Sequence, residues 1–192
     1  MNKNFVYLSF FLIIFLSCND TYYPKPHGYI RTDFPNKEYR VFDSIYPYTF
    51  EIPKYSKVER DSSRGSEKYW ADWNFPNFNA TVFLSYKTIN NNLGKYEEDS
   101  RKLVYKHTIK AYEIEDKIWD NEENNVYGIF YEIKGDVASQ FQFYLTDSIT
   151  HFVRGSFYFN HVPNKDSLAP SLSYLRQDIQ RMIETFKWKD EN

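Results

Sequence analysis

Apolar and polar residues alternate along this chain in a series of short runs, and two longer stretches carry a helical period instead. Tyr48, Phe50 and Ile52 alternate with Thr49 and Glu51, which predicts a half-buried strand ended by Pro53. Tyr69, Ala71, Trp73 and Phe75 alternate with Asp72 and Asn74. Pro76-Asn77-Phe78-Asn79 then reads as a turn, and Ala80, Val82, Leu84 and Tyr86 alternate with Thr81, Phe83 and Ser85, so this block predicts a hairpin. Three more strands are expected: Tyr127 to Ile133, Phe141 to Leu145, and His151 to Phe159, joined at Lys134-Gly135-Asp136 and Asp147-Ser148. Connections this short require antiparallel neighbours.

The period changes over 96–111, where Tyr96, Ser100, Leu103, His107 and Ala111 share one helical face and Glu97, Glu98 and Asp99 fill the expected first turn. Glu98 and Lys102 stand in the favourable order for an i,i+4 pair. The second helix is marked by Leu168, Leu172, Leu175, Ile179, Met182, Ile183 and Phe186. Asp166 or Ser167 can cap it, with Pro170 in the first turn. The expectation is an α+β domain over 44–188, with an antiparallel β-sheet of about five to six strands packed with two amphipathic helices.

The leader differs from all of this. Phe5 to Leu16 is a nearly unbroken apolar run behind Lys3, too short to span a bilayer, which takes about 20 residues. It fits a signal peptide over 1–17. Phe15-Leu16-Ser17-Cys18 looks like a bacterial lipobox, with Phe15 where Leu is usual. That similarity implies a lipid on Cys18, which becomes the mature N-terminus, so the protein's membrane partner is reached through this residue. Two or three acyl chains hold firmly where one binds marginally. Asn19-Asp20-Thr21 is not an acidic run, which favours an anchor facing the periplasm. Residues 18–43 read as an extended arm, because Pro24, Pro26 and Pro35 exclude a helix. Tyr22, Tyr23, Pro24, Pro26, Tyr29 and Phe34 make it too aromatic for a plain linker. They are the candidate docking residues, on the domain itself or on a protein partner. Residues 189–192 form a short tail.

Composition narrows the chemistry. The net charge of −2 gives no polyanion footprint, so no nucleic acid partner is expected. The single cysteine excludes a disulfide framework and multi-Cys metal sites. His27, His107, His151 and His161 form no H-x-H or H-x-x-x-H pair, and no metal, cofactor or catalytic residue is assigned. His107 reads as a buried structural histidine. An alternative polar site gathers Trp70 and Asp72, taken as an exposed pair, with the hairpin residues Asp147, His151 and Arg154. There Ser148 and His151 could be read as nucleophile and base, but Asp147-Ser148 is better explained as turn chemistry, without a nucleophile elbow.

Taken together, Tyr23-Pro24-Lys25-Pro26, Gly28-Tyr29, Asp33-Phe34-Pro35, the block Phe75 to Ala80, Ser85-Tyr86, Lys106-His107 and Ala111 are similar to the gliding-motility lipoprotein GldD family of the Bacteroidetes. Asp147-Ser148, His151-Phe152, Arg154-Gly155, Asp166 to Pro170 and Glu184-Thr185-Phe186 extend the resemblance over nearly all of the mature chain. It implies an envelope lipoprotein needed for gliding, with protein partners in a machinery coupled to type IX secretion. It brings no catalytic residues. The order of elements also resembles a Mog1/PsbP-type sandwich, a likeness of fold that carries no function. The alternative function is a periplasmic glycan- or cell-wall-binding protein or hydrolase.

Overall fold

The computed structural model describes residues 33–160 and 165–189. Among the described residues ten strands form two sheets. β1 (Tyr39–Phe42), β2 (Tyr48–Pro53) and β10 (Lys187–Trp188) make a small sheet ordered β1-β2-β10. β3 (Lys57–Arg60), β4 (Ala71–Phe75), β5 (Ala80–Thr88), β6 (Ala111–Asn121), β7 (Val126–Gly135), β8 (Phe141–Thr146) and β9 (His151–Phe159) make the large one, ordered β3-β4-β5-β9-β8-β7-β6. Every pairing is antiparallel. Two helices complete the fold, α1 (Leu93–Tyr105) and α2 (Lys165–Glu184).

Register gives the large sheet two distinct faces. Ala71, Leu84, Gly155, Phe143 and Phe130 stand opposite one another across five strands. That face packs against β2 and the α2 stripe, with Trp73, Tyr48, Phe50, Phe75, Phe157 and Phe186 almost wholly buried. Aromatics dominate because two sheet layers and a helix must be bridged with few side chains. Phe50 and Phe186 stack with centroids 5.9 Å apart, and Trp73 donates its indole N–H to Ser56 Oγ at 2.8 Å. The opposite face is covered only in part: α1 lays Val104 over Tyr131, Ile133, Tyr144 and Phe152.

Both long hairpins turn in the same way. A three-residue helical turn, Pro76–Phe78 or Glu122–Asn124, is followed by an asparagine in the left-handed region, Asn79 at φ 46° and Asn125 at φ 50°. Asn tolerates this conformation better than other residues with a Cβ.

The predicted class holds, α+β with two helices and antiparallel sheets, and several details change. Strands β1, β3, β6 and β10 lie beyond the five or six expected. β6 is an edge strand exposed on most positions, so its sequence shows no clean alternation. The first helix covers Leu93–Tyr105, and Ala111 already belongs to β6. Its first turn contains no acid, so Glu97, Glu98 and Asp99 lie further in. Tyr96 and Ser100 face the sheet as predicted, but at the next turn Val104, at 1% exposure, takes the place expected of Leu103, which is 38% exposed. Glu98 does pair with Lys102, at 3.5 Å. The stripe of α2 is as predicted from Leu168 to Phe186. The helix is described from Lys165, so Asp166, Ser167 and Pro170 all lie within it. The domain also begins earlier than Ser44, because Tyr39–Phe42 pairs with Phe50–Pro53. At the other end Lys189 donates its backbone N–H to Pro47 O at 3.0 Å and belongs to the domain.

Candidate functional site

Cys18, Tyr22, Tyr23, Pro24, Pro26 and Tyr29, with His27 and His161, lie outside the described residues. Phe34 is the one predicted docking residue within them, and it docks on its own domain. Its ring stacks on Tyr174 of α2, centroids 4.6 Å apart at 14°, and faces Phe78 at 5.9 Å. Tyr174 OH donates to Pro35 O. Immediately after, Lys37 Nζ donates to Tyr174 O at 2.9 Å and lies 3.8 Å from the centre of the Tyr174 ring.

This seat is closed by a buried carboxylate. Asp178 of α2 has no exposed surface. It accepts from Lys37 Nζ at 2.6 Å, from Tyr39 OH at 2.8 Å and from Tyr55 OH. A buried carboxylate persists only when paired and hydrogen-bonded, and the three donors come from the arm root and the turn after β2. Burial first, then the Asp178 partnership, pushes the hydroxyls of Tyr39 and Tyr55 well above the ordinary tyrosine range. They remain donors throughout the physiological range. Sequence reasoning passed over Asp178. Its signal was an acid standing three residues after Leu175 and four before Met182, inside an apolar stripe.

The alternative polar site is not brought together. Asp147 uses Oδ1 to accept backbone N–H groups of Ile149, Thr150 and His151 at 3.0, 2.8 and 2.7 Å, which is turn chemistry. Ser148 stands at φ 69° in that turn. His151 points to the core face, where Nδ1 lies 2.7 Å from Tyr86 OH and the ring stacks on Trp188. Arg154, three positions on, emerges on the opposite face and donates to Gln142 Oε1 at 2.5 Å. Burial pulls its pKa down. His107 sits on the helical turn Lys106–Ile109, half-buried, and burial followed by the nearby Arg154 lowers its pKa. Trp70 and Asp72 also separate. Trp70 precedes β4, packs against the main core and donates its indole N–H to Tyr86 O at 3.0 Å. Asp72 stays on the outer face opposite Phe83. Burial, then Asp61 and Glu59, raises its pKa. Among the described residues no group of three His, Cys, Asp or Glu could hold a metal ion.

A cleft of about 690 Å³ opens at the far end of β5, lined by Ser44–Pro47, Glu67–Tyr69, Tyr86–Thr88 and Lys189. No sequence motif marked it, since its walls come from two separate connections, the end of β5 and the residue after β10.

No protein of curated function matches the chain. The solution structure of cyanobacterial PsbP (CyanoP) from Synechocystis sp. PCC 6803 is similar at 10% identity and a TM-score of 0.48, covering 83% of this chain and 97% of that one. The family model described as gliding motility lipoprotein GldD matches residues 19–188.

Proposed function

Because the chain belongs to the gliding motility lipoprotein GldD family, we propose that it acts as a lipid-anchored, non-enzymatic accessory of the gliding machinery, coupled to type IX secretion. Cys18 carries the lipid, the domain faces the periplasm, and the aromatic segment between Cys18 and Phe34 docks a protein of that complex. The observation that carries this reading is the Phe34–Tyr174–Asp178 seat. A tether need only be flexible, whereas this segment meets the domain at a fixed point built from stacked rings and a buried ion pair. Fully extended, the chain from Cys18 to Phe34 reaches at most ~55 Å, which confines the domain to a shell near the membrane. Within that shell a partner meets the arm and the domain surface together, and effective concentration favours contact with both.

The test replaces residues 21–32 by a Gly/Ser segment of equal length. Cys18, Phe34 and Pro35 are kept, because the last two pack on α2. The variant is expected to stay in the membrane fraction and melt like the parent, while gliding is lost. Normal gliding overturns the reading. A Cys18→Ala variant that still fractionates with membranes overturns the anchor.

A further inference from the structure

From the cleft at the end of β5 we infer a second binding site, one for an acidic, extended peptide segment of a protein partner. It is separate from the arm seat and goes beyond the reading above. The cleft lies within the ~300–1,000 Å³ range usual for ligand sites. Three lysines against two acids leave its charge positive by one. Lys68, Lys87 and Lys189 line it against Glu67 in the wall and Asp43 beside it. Lys87 pairs with Glu67 and Lys189 with Asp43. Such partly exposed pairs are weak, so an incoming carboxylate competes for both cations. Lys68 has no acidic partner among the described residues, and its Nζ rests 4.4 Å from the centre of the Tyr69 ring.

Tyr69 is the second observation. Glu67 to Trp70 is a tight turn in which Trp70 N–H donates to Glu67 O at 3.3 Å, and Tyr69, its third residue, has φ 68°. A positive φ at that position is ordinarily left to Gly or Asn. A bulky side chain there is a backbone outlier, and outliers of this kind gather at binding sites. The surroundings hold it in place. Tyr48 OH donates to Tyr69 O at 3.1 Å, and the Tyr69 ring meets Tyr86 edge-on with centroids 5.5 Å apart. The strained turn therefore aims Lys68 and the Tyr69 ring along the cleft wall. Ile45, also in the lining, is 80% exposed and offers an apolar contact on the rim.

The same geometry disfavours a sugar. Tyr46 and Tyr86 are each only 7% exposed, and Lys68 lies over the face of Tyr69, so no open aromatic platform is left for stacking. Carboxylates spaced along a peptide, with one apolar side chain against Ile45, match the three lysines and the rim.

The test is fluorescence anisotropy of a labelled Glu-Glu-Leu-Glu-Glu peptide titrated with the purified full-length chain. Saturable, salt-sensitive binding is expected, weakened at least about tenfold by Lys68→Ser with Lys87→Ser. Tyr69→Gly relaxes the backbone but gives up the ring contact with Tyr86, so a melting temperature no higher than the parent's and binding weakened several-fold are expected; Tyr69→Asn, which also tolerates this φ, serves as the second variant. The inference is overturned by an absence of saturable binding at ~1 mM, by equal binding of Gln-Gln-Leu-Gln-Gln, or by lysine variants that bind as the parent does. It is also overturned if phosphatidylglycerol vesicles are bound where the peptide is not. None of these outcomes bears on the arm replacement, so the two readings fail separately.

Discussion

Removing the Asp178 carboxylate is the sharpest probe of how the arm root is fixed. Asp178→Ala deletes the acceptor for Lys37, Tyr39 and Tyr55 inside a site with no exposed surface on the aspartate. Breaking a buried pair by removing one partner typically costs ~3–5 kcal/mol. The Lys37 side chain keeps 21% of its surface exposed, so the ammonium can reach water and the ionic part of that cost falls towards the lower limit. The two tyrosine hydroxyls cannot both follow, and each orphaned donor costs ~1–3 kcal/mol. The expected total, with one hydroxyl orphaned, is ~4–6 kcal/mol. For a domain of this size, where 1 kcal/mol moves the melting temperature by ~2–4 °C, the drop is ~8–24 °C. Urea denaturation followed by tryptophan fluorescence measures the free energy directly. Asp178→Asn, which keeps one acceptor oxygen, should lose about half as much. A Lys37→Met, Asp178→Leu cycle should show a coupling above ~0.5 kcal/mol, as contacting residues do. If Asp178→Ala stays within ~0.5 kcal/mol of the parent, the seat is not held as described.

Other changes test other parts of the account. Phe34→Ala removes the stack on Tyr174 and is expected to cost ~1–2 kcal/mol and to speed proteolysis at the arm root, read by limited trypsin digestion. Gly155→Ala places a Cβ 2.1 Å from a ring atom of Phe143 in the core, so overpacking of ~1–3 kcal/mol is expected from the urea midpoint. Asp72 binds its proton more tightly in the folded than in the unfolded state. Its contribution is therefore intact below the ordinary value of 3.8 and is lost as pH rises through the raised folded value. Asp72→Asn should thus gain stability over the parent between about pH 3 and about pH 7; a difference that does not change with pH contradicts the assignment.

The sequence made some features visible and hid others, for definite physical reasons. Strands β2, β4, β5, β7 and β9 were legible because apolar positions alternate along them with one face in the main core, whereas β8 is buried at all six residues and was legible from Phe141, Phe143 and Leu145 alone. Strand β6 was not, because an edge strand exposed on both sides carries Glu113, Glu115, Asp116 and Lys117 where alternation would be sought. Such charges also discourage pairing with a second chain. In α1, Tyr96 and Ser100 were placed correctly and only Leu103 was taken for Val104, because the two are equally apolar neighbours. Asp147 was legible as a turn residue, since an Asx turn is local. Asp178 and the cleft were not, since both join residues far apart in sequence. In Asp178 the long-range partners Lys37, Tyr39 and Tyr55 decide the role, and no spacing rule connects them.

The central claim is that the aromatic segment between Cys18 and Phe34 recruits a partner at the membrane. Capture from solubilised membranes, with the parent and the Gly/Ser-replaced arm as baits and mass spectrometry as the readout, tests it most directly. The account predicts at least one gliding or secretion protein that is retained by the parent and lost from the replaced arm, with both baits folded alike. The same set of proteins on both baits would contradict it.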